Sequence, residues 1–230
     1  MRASLCSLGL VDYQAAYRLQ TELVARRRWQ GPGSDIVLVV EHPAVYTLGR
    51  RGGREFLRVS EEFLGKRDIP VVPIERGGVI TYHGPGQLVV YPIIHLKQAG
   101  ISVAEYVALL EELMIRLAAD VGVRAGRDDR NHGVWVADNK LGSIGIAIRH
   151  GVSFHGLALN VNLDLEPFGW INPCGLTGVS MTSLAVEAGR DVTLAEVTAG
   201  LRGHFEQLFC LTLDELFSGE LLLEMREVHH

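Results

Sequence analysis

Near the start of the chain, apolar residues recur at intervals of three and four. Tyr13, Ala16, Tyr17, Leu19, Leu23 and Val24 fall on one stripe of a helix running from Asp12 to Trp29, ended by Gly31, Pro32 and Gly33. The period then shortens. Ile36–Glu41 and Ala44–Leu48 read as strands separated by Pro43, and Val71–Ile74 as a third after a short helix from Ser60 to about Lys66. A stretch rich in glycine, from Gly77 to Gly86, reads as loop and gives way to the apolar strand Leu88–Ile94. Ser102 with Glu105, and Thr193 with Glu196, have capping-box spacing. They open helices to about Val121 and to Phe209. Between them Gly133–Ala137, Leu141–Arg149 and Ser153–Asn162 alternate as strands.

Strands outnumber helices in this order and do not alternate with them one for one. The pattern predicts an α/β chain of the α+β type, with a mixed, largely antiparallel sheet packed with helices. The 230 residues suit one domain over 1–217 with a tail at 218–230, and no repeat or long linker divides it. His229 and His230, native or tag-derived, are left out of the functional reading.

Composition narrows the function. Apolar residues at 47% and charged residues at 21% match a soluble enzyme, and the longest apolar runs are strand-sized, too short for a membrane span. No secretory signal is evident, so the expected compartment is the cytoplasm. A net charge of −5 argues against general nucleic-acid binding. Arg50, Arg51, Arg54 and Arg58 nevertheless cluster, as do Arg124, Arg127 and Arg130. They read either as solvated loops or as docking for an acidic protein. The three cysteines, Cys6, Cys174 and Cys210, show no CxxC spacing, which speaks against a disulfide framework or zinc site. Cys6 and Cys210 read as packing residues.

Four segments carry candidate chemistry. Arg76-Gly77-Gly78-Val79-Ile80-Thr81-Tyr82-His83 puts a cation and hydrogen-bonding tips beside accessible backbone, as a ligand-binding loop or an ordinary turn. It is neither a Walker loop nor a GxGxxG fingerprint. In Asn172-Pro173-Cys174-Gly175, proline stiffens the approach and glycine leaves the sulfur open, a setting for a presented nucleophile. Lys140 opens the apolar strand Leu141-Gly142-Ser143-Ile144-Gly145, as a functional group or a lysine snorkelling to solvent. His155-Gly156-Leu157-Ala158 lies in an alternating strand, where His155 equally suits a satisfied core position. No GxSxG elbow supports a serine hydrolase.

Taken together, RGGxxTYHGPGQLVVYP, KLGSIG, HGLALN and INPCG resemble the lipoyl(octanoyl) transferase family in order and spacing, from about Val37 to Ser183. The resemblance implies a biotin/lipoate protein ligase-like catalytic domain. It implies an acyltransferase moving octanoyl from octanoyl-acyl-carrier protein to a lipoyl-domain lysine, in 2-oxoacid dehydrogenases or the glycine cleavage H protein. By it, Cys174 is the acyl-accepting nucleophile and Lys140 its proton partner. The substrate segments are Arg76–His83, Ser143–Gly145 and Gly156–Ala158. No metal or cofactor is implied, since phosphopantetheine arrives on the donor. Two alternatives remain: an ATP-dependent lipoate ligase, whose loop carries Asp where this chain has Gly84, and a non-enzymatic acyl-binding module.

Overall fold

The computed structural model describes residues 2–172 and 179–221. Strand β1 (Arg2–Leu10) leads into helix α1 (Tyr13–Arg27), which Asp12 caps by accepting the Ala15 N–H at 2.9 Å. Strands β2 (Asp35–Glu41) and β3 (Val45–Leu48), helix α2 (Glu61–Gly65) and strands β4 (Val71–Pro73), β5 (Ile80–His83) and β6 (Gln87–Ile93) follow. Next come α3 (Leu96–Ala99), the long α4 (Val103–Asp120), and strands β7 (Gly133–Val136), β8 (Asn139–Arg149) and β9 (Val152–Asn160). Strand β10 (Ser180–Met181), helices α5 (Leu184–Ala188), α6 (Leu194–Thr198) and α7 (Leu201–Phe209), and strand β11 (Thr212–Glu215) complete the described chain.

Among the described residues the main sheet runs β10-β8-β9-β6-β2-β1-β11, with β7 on the free side of β8. Its centre is antiparallel, through β2–β6, β6–β9 and β8–β9, whereas β1–β2, β1–β11 and β10–β8 are parallel. The expected mixed, largely antiparallel sheet therefore forms, with its parallel pairs gathered towards the edges.

The central strands are apolar throughout because both faces are covered. Val37 and Val39 of β2 and Leu88 and Val90 of β6 pack with Tyr106, Leu110, Leu113, Met114 and Leu117 of α4. The alternate residues Leu38, Val40, Val89 and Tyr91 pack with Ala16, Leu23 and Val24 of α1. Period two in the strands and period 3.6 in the helices thus meet on two opposed faces. Each large aliphatic side chain so buried contributes ~1.5–3 kcal/mol.

A second, three-stranded sheet runs β4-β3-β5 and packs on Leu64, Phe168 and Ile171. Its strand β5 lies inside the stretch read from sequence as loop; pairing with β3, Tyr46 against Tyr82, supplies the order. The helix expected to run unbroken to Phe209 is instead α6 and α7, parted at Ala199–Gly200. A side chain on Gly200 would meet the Asp120 carboxylate of α4, so the chain passes close to α4 at this break. Leu221, within the segment read as a tail, is buried against the α1 face. Among the described residues no helix is long and apolar enough to cross a membrane.

Candidate active site

The two sheets and α4 enclose a cavity of about 640 Å3. The β8–β9 hairpin builds one wall. His150 and Gly151, both with positive φ, close it as a two-residue turn, and the register sets Ser143 opposite Ala158, Ile144 opposite Leu157 and Gly145 opposite Gly156. The glycine-rich segment builds the facing wall, fastened to β8 where the Gly77 N–H donates to the Ile146 carbonyl at 2.9 Å. Gly156 allows close packing there: a Cβ would strike the Val90 carbonyl.

Arg76, Gly77, Gly78, Val79, Ile80, Thr81, His83, Ser143, Ile144, Gly145, Gly156, Leu157 and Ala158 all line this cavity. Tyr82 does not. It points the other way from its neighbours in β5, into the small core, with its ring 5.3 Å from Tyr46 and 5.4 Å from Phe168. The alternation of a strand, unnoticed within the glycine-rich stretch, explains this. The Arg76 guanidinium is buried and donates to the Thr47 carbonyl at 2.6 Å, the Thr47 hydroxyl at 2.8 Å and the Gly77 carbonyl at 2.9 Å. Arg76 thereby ties the segment to β3.

Lys140 is only 1% exposed. Its Nζ donates to Asn131 Oδ1 at 2.9 Å and to the His132 carbonyl at 3.1 Å, and lies 5.2 Å from the centre of the Trp135 ring. Asn131 and His132 belong to the cavity wall, so the lysine nitrogen sits directly behind its outer lip. The snorkelling alternative does not describe this lysine, whose head group is held inside.

Cys174 lies outside the described residues. The chain on either side of segment 173–178 is fastened, on the far side to the strand of Lys140. The Asn172 N–H donates to the Phe56 carbonyl at 2.9 Å; Ser180 and Met181 pair with Asn139 and Lys140, and the Thr182 N–H donates to the Lys140 carbonyl at 3.0 Å. Of the other cysteines, Cys6 is buried and pushed up to about 11 by burial and by Glu215. Cys210 departs from the packing expectation: it is exposed at the end of α7, with φ of 51°.

The outer lip is charged but paired. Arg127 meets Glu111 at 3.2 Å and Glu112 at 3.0 Å, while Arg130 meets Asp128 at 2.7 Å. Glu111 is buried, and its carboxylate also accepts the Gly133 N–H at 3.0 Å, holding the turn that presents Asn131 and His132. Arg50, Arg51, Arg54 and Arg58 are exposed; Arg51 lines the cavity, Arg54 pairs with Glu61, and the Arg58 N–H donates to the Trp170 carbonyl. Glu111 and the fully buried Gln20 are wall and support residues that sequence motifs do not mark. The available signal is positional: each is a polar residue standing on the apolar stripe of its helix.

The inner wall is aromatic and histidine-rich, built from Tyr13, His83, Tyr91 and His155. Burial, and then the neighbouring His42, pushes His83 down to about 3. Burial, and then Arg76 and Arg149, brings His155 to about 3 as well. Both are therefore neutral in the folded protein at ordinary pH. The unfolded chain takes up protons below about pH 6.5 that the folded one refuses, so their contribution to stability is complete above that pH and falls below it. Moving from pH 7.5 to 5.5 should cost about 1.4 kcal/mol for each histidine. Urea unfolding at the two pH values should show this loss, reduced by about that amount in His155→Asn. An identical pH dependence in the variant would mean that His155 is not held neutral.

The residues from 12 to 206 match the family model described as the lipoyl protein ligase A/B catalytic domain. The chain is 60% identical over 207 residues to an octanoyltransferase of Desulfotalea psychrophila, covering 89% of this chain and 93% of that protein. It is 49% identical over 208 residues to one of Syntrophobacter fumaroxidans, covering 90% and 91%. Among solved structures, a bipartite lipoate protein ligase from Thermoplasma acidophilum superposes with a TM-score of 0.76 at 18% identity, over 99% of this chain and 92% of that one. A biotin protein ligase from Aquifex aeolicus gives 0.51 at 13%, over 91% and 70%. These last two likenesses establish the expected biotin/lipoate ligase-like fold, and the first two carry the activity: the chain belongs to the octanoyltransferase family of enzymes, within the lipoyl protein ligase A/B catalytic domains.

Proposed function

We propose that this enzyme takes octanoyl from octanoyl-acyl-carrier protein and delivers it to the lysine of a lipoyl domain, through a thioester on Cys174. The observation that carries the reading is the convergence of segments 76–81, 143–145 and 156–158 on one cavity, with a buried lysine at its lip. The Cys174 thiol gives its proton to Lys140 and the thiolate attacks the donor's thioester carbonyl. The carbon–sulfur bond to phosphopantetheine breaks, and Lys140 returns the proton to the departing sulfur. The acceptor lysine then attacks the acyl-Cys174 carbonyl, its proton passing to Lys140 and on to the Cys174 sulfur as the amide forms. The apolar side chains Val79, Ile80, Ile144 and Leu157 shelter the octanoyl chain. The exposed arginines from Arg50 to Arg58 offer an acidic carrier domain a complementary surface.

A thioester is already activated, whereas a free fatty acid is a carboxylate and a poor electrophile. The test is intact-mass spectrometry of a lipoyl domain after incubation with the purified enzyme. Octanoylation is expected with octanoyl-acyl-carrier protein and no nucleotide, and none with octanoate, ATP and magnesium. Modification that needs ATP would replace this reading by that of a ligase.

A further inference from the structure

Of the cavity's buried imidazoles, one has unmet hydrogen-bonding capacity. His83 Nδ1 lies 2.7 Å from Gln87 Oε1 and its Nε2 3.5 Å from the Thr47 hydroxyl. His42, behind the wall, meets the Val11 carbonyl at 2.7 Å and the Tyr91 hydroxyl at 2.8 Å. His155 is 0% exposed, and neither ring nitrogen has a partner among the described residues. Beside it, Gln20 spends its Oε1 on the His155 backbone N–H at 2.7 Å and leaves its own Nε2 unmatched. A neutral imidazole offers one N–H and one lone pair, so the two residues together bring unmet donors and an acceptor to one place.

This is a built feature. His155 adopts a left-handed backbone, φ 55°, which a residue with a Cβ holds only when its surroundings insist. Its ring is stacked on Tyr17 at 5.7 Å and on Phe154 at 4.8 Å, and meets Tyr91 edge-on at 6.4 Å. The ring is thus clamped at the inner wall. Along β8 it stands opposite Ile146, three residues beyond Ser143, and Ser143 pairs with the Gly133 beside which the Lys140 side chain ends, so about 10 Å of strand separates the two ends. Between the two ends the β8–β9 hairpin contributes the apolar side chains Ile144, Leu157 and Ala158. Buried polar groups of this kind are ordinarily satisfied by water.

We propose that His155, with Gln20 beside it, makes a hydrated polar end wall that sets the longest acyl chain the cavity accepts. The proposal rests on the acyl-transfer reading above. A chain growing from the Lys140 end towards His155 buries its methylenes favourably until its methyl group reaches the imidazole. Any further carbon displaces water that the ring and Gln20 need, and leaves their nitrogens against hydrocarbon. Length is then limited by desolvation as well as by space.

The test separates these two effects with His155→Leu and His155→Asn, which replace the ring by side chains of similar size and opposite polarity. Each full-length variant is mixed with octanoyl- and decanoyl-pantetheine thioesters, and acyl-enzyme is followed by intact mass. The ratio of decanoyl to octanoyl rates within one variant cancels any difference in folded fraction. The leucine variant should raise that ratio on the order of tenfold over wild type, equivalent to ~1.4 kcal/mol. The asparagine variant should stay within about twofold of wild type, a shift of ~0.4 kcal/mol. An equal rise in both variants would show that size alone sets the limit, and no rise in either would show that the wall lies elsewhere. Preference of the wild type for an octanoyl chain hydroxylated at its far end would also overturn the proposal, since the notch would then be a substrate subsite. A wild-type enzyme that neither thioester acylates would sink the acyl-transfer reading along with it.

Discussion

Replacing Cys174 by alanine is expected to abolish transfer, by roughly 10⁴–10⁶ in rate, and to leave the fold intact. Acyl transfer through a covalent thioester needs a thiolate, and a free thiol of pKa ~8.5 is only slightly ionised at neutral pH. The three cysteines differ sharply as candidates. Cys6 lies in the core against α1, where burial raises its thiol to about 11 and no donor can reach it. Cys210 is accessible, but it ends α7, outside the cavity wall. Cys174 follows a proline and precedes a glycine, and β10, a few residues further on, pairs with Lys140. Incubation with octanoyl-acyl-carrier protein should give a single octanoyl adduct, mapped by peptide mass spectrometry to Cys174. The adduct should persist in Cys6→Ala and Cys210→Ala and vanish in Cys174→Ala. Transfer at near wild-type rate by Cys174→Ala would remove the covalent mechanism altogether.

How far such a site can be seen in sequence depends on the range over which its parts are encoded. The stripe of α1 and the apolar runs of β2, β6 and β9 are local patterns, and the elements stand within a residue or two of where those patterns put them. Strand β5 is less visible because the glycines around it mask its short alternation, and with it the fact that Tyr82 faces away from Thr81 and His83. Gly200 is a weak local signal within a helical pattern, and the close approach of Asp120 on α4, which leaves no room there for a Cβ, is far away in sequence. The cavity itself follows the same rule. The segments 76–83, 143–145 and 156–158 stand out by composition, but their convergence rests on non-local bonds such as that from Gly77 to Ile146. The lip from Arg127 to His132 looks like an ordinary polar loop until Glu111 is found gripping it from α4. Gln20 and His155 announce themselves only as polar residues in apolar settings, and the fold makes them neighbours.

Lys140→Met is expected to slow acylation of Cys174 by roughly 10²–10⁴, the usual cost of losing a well-placed general base. Methionine keeps much of the chain length and fills the same apolar path beside Trp135, so the loss falls on the amine. Two acceptors, Asn131 Oδ1 and the His132 carbonyl, fix that amine at the lip, and Met181 of β10 pairs with the lysine's own backbone. The lysine is therefore anchored at its head and at its main chain, which suits a group that must meet the same sulfur as base, acid and base again. A structural lysine would give a different signature. If its role were only to brace the Asn131–His132 turn, the variant would lose stability while the reactivity of Cys174 stayed the same. If it shares a proton with Cys174, alkylation of that thiol by iodoacetamide should need a higher pH in the variant than in wild type. Lys140→Arg should fail to rescue, because a guanidinium keeps its proton throughout the accessible pH range. The decisive measurement is the pH profile of Cys174 alkylation in variants whose thermal unfolding confirms a native fold. Superimposable profiles for wild type and Lys140→Met would reduce Lys140 to a brace and leave the activation of Cys174 to another group.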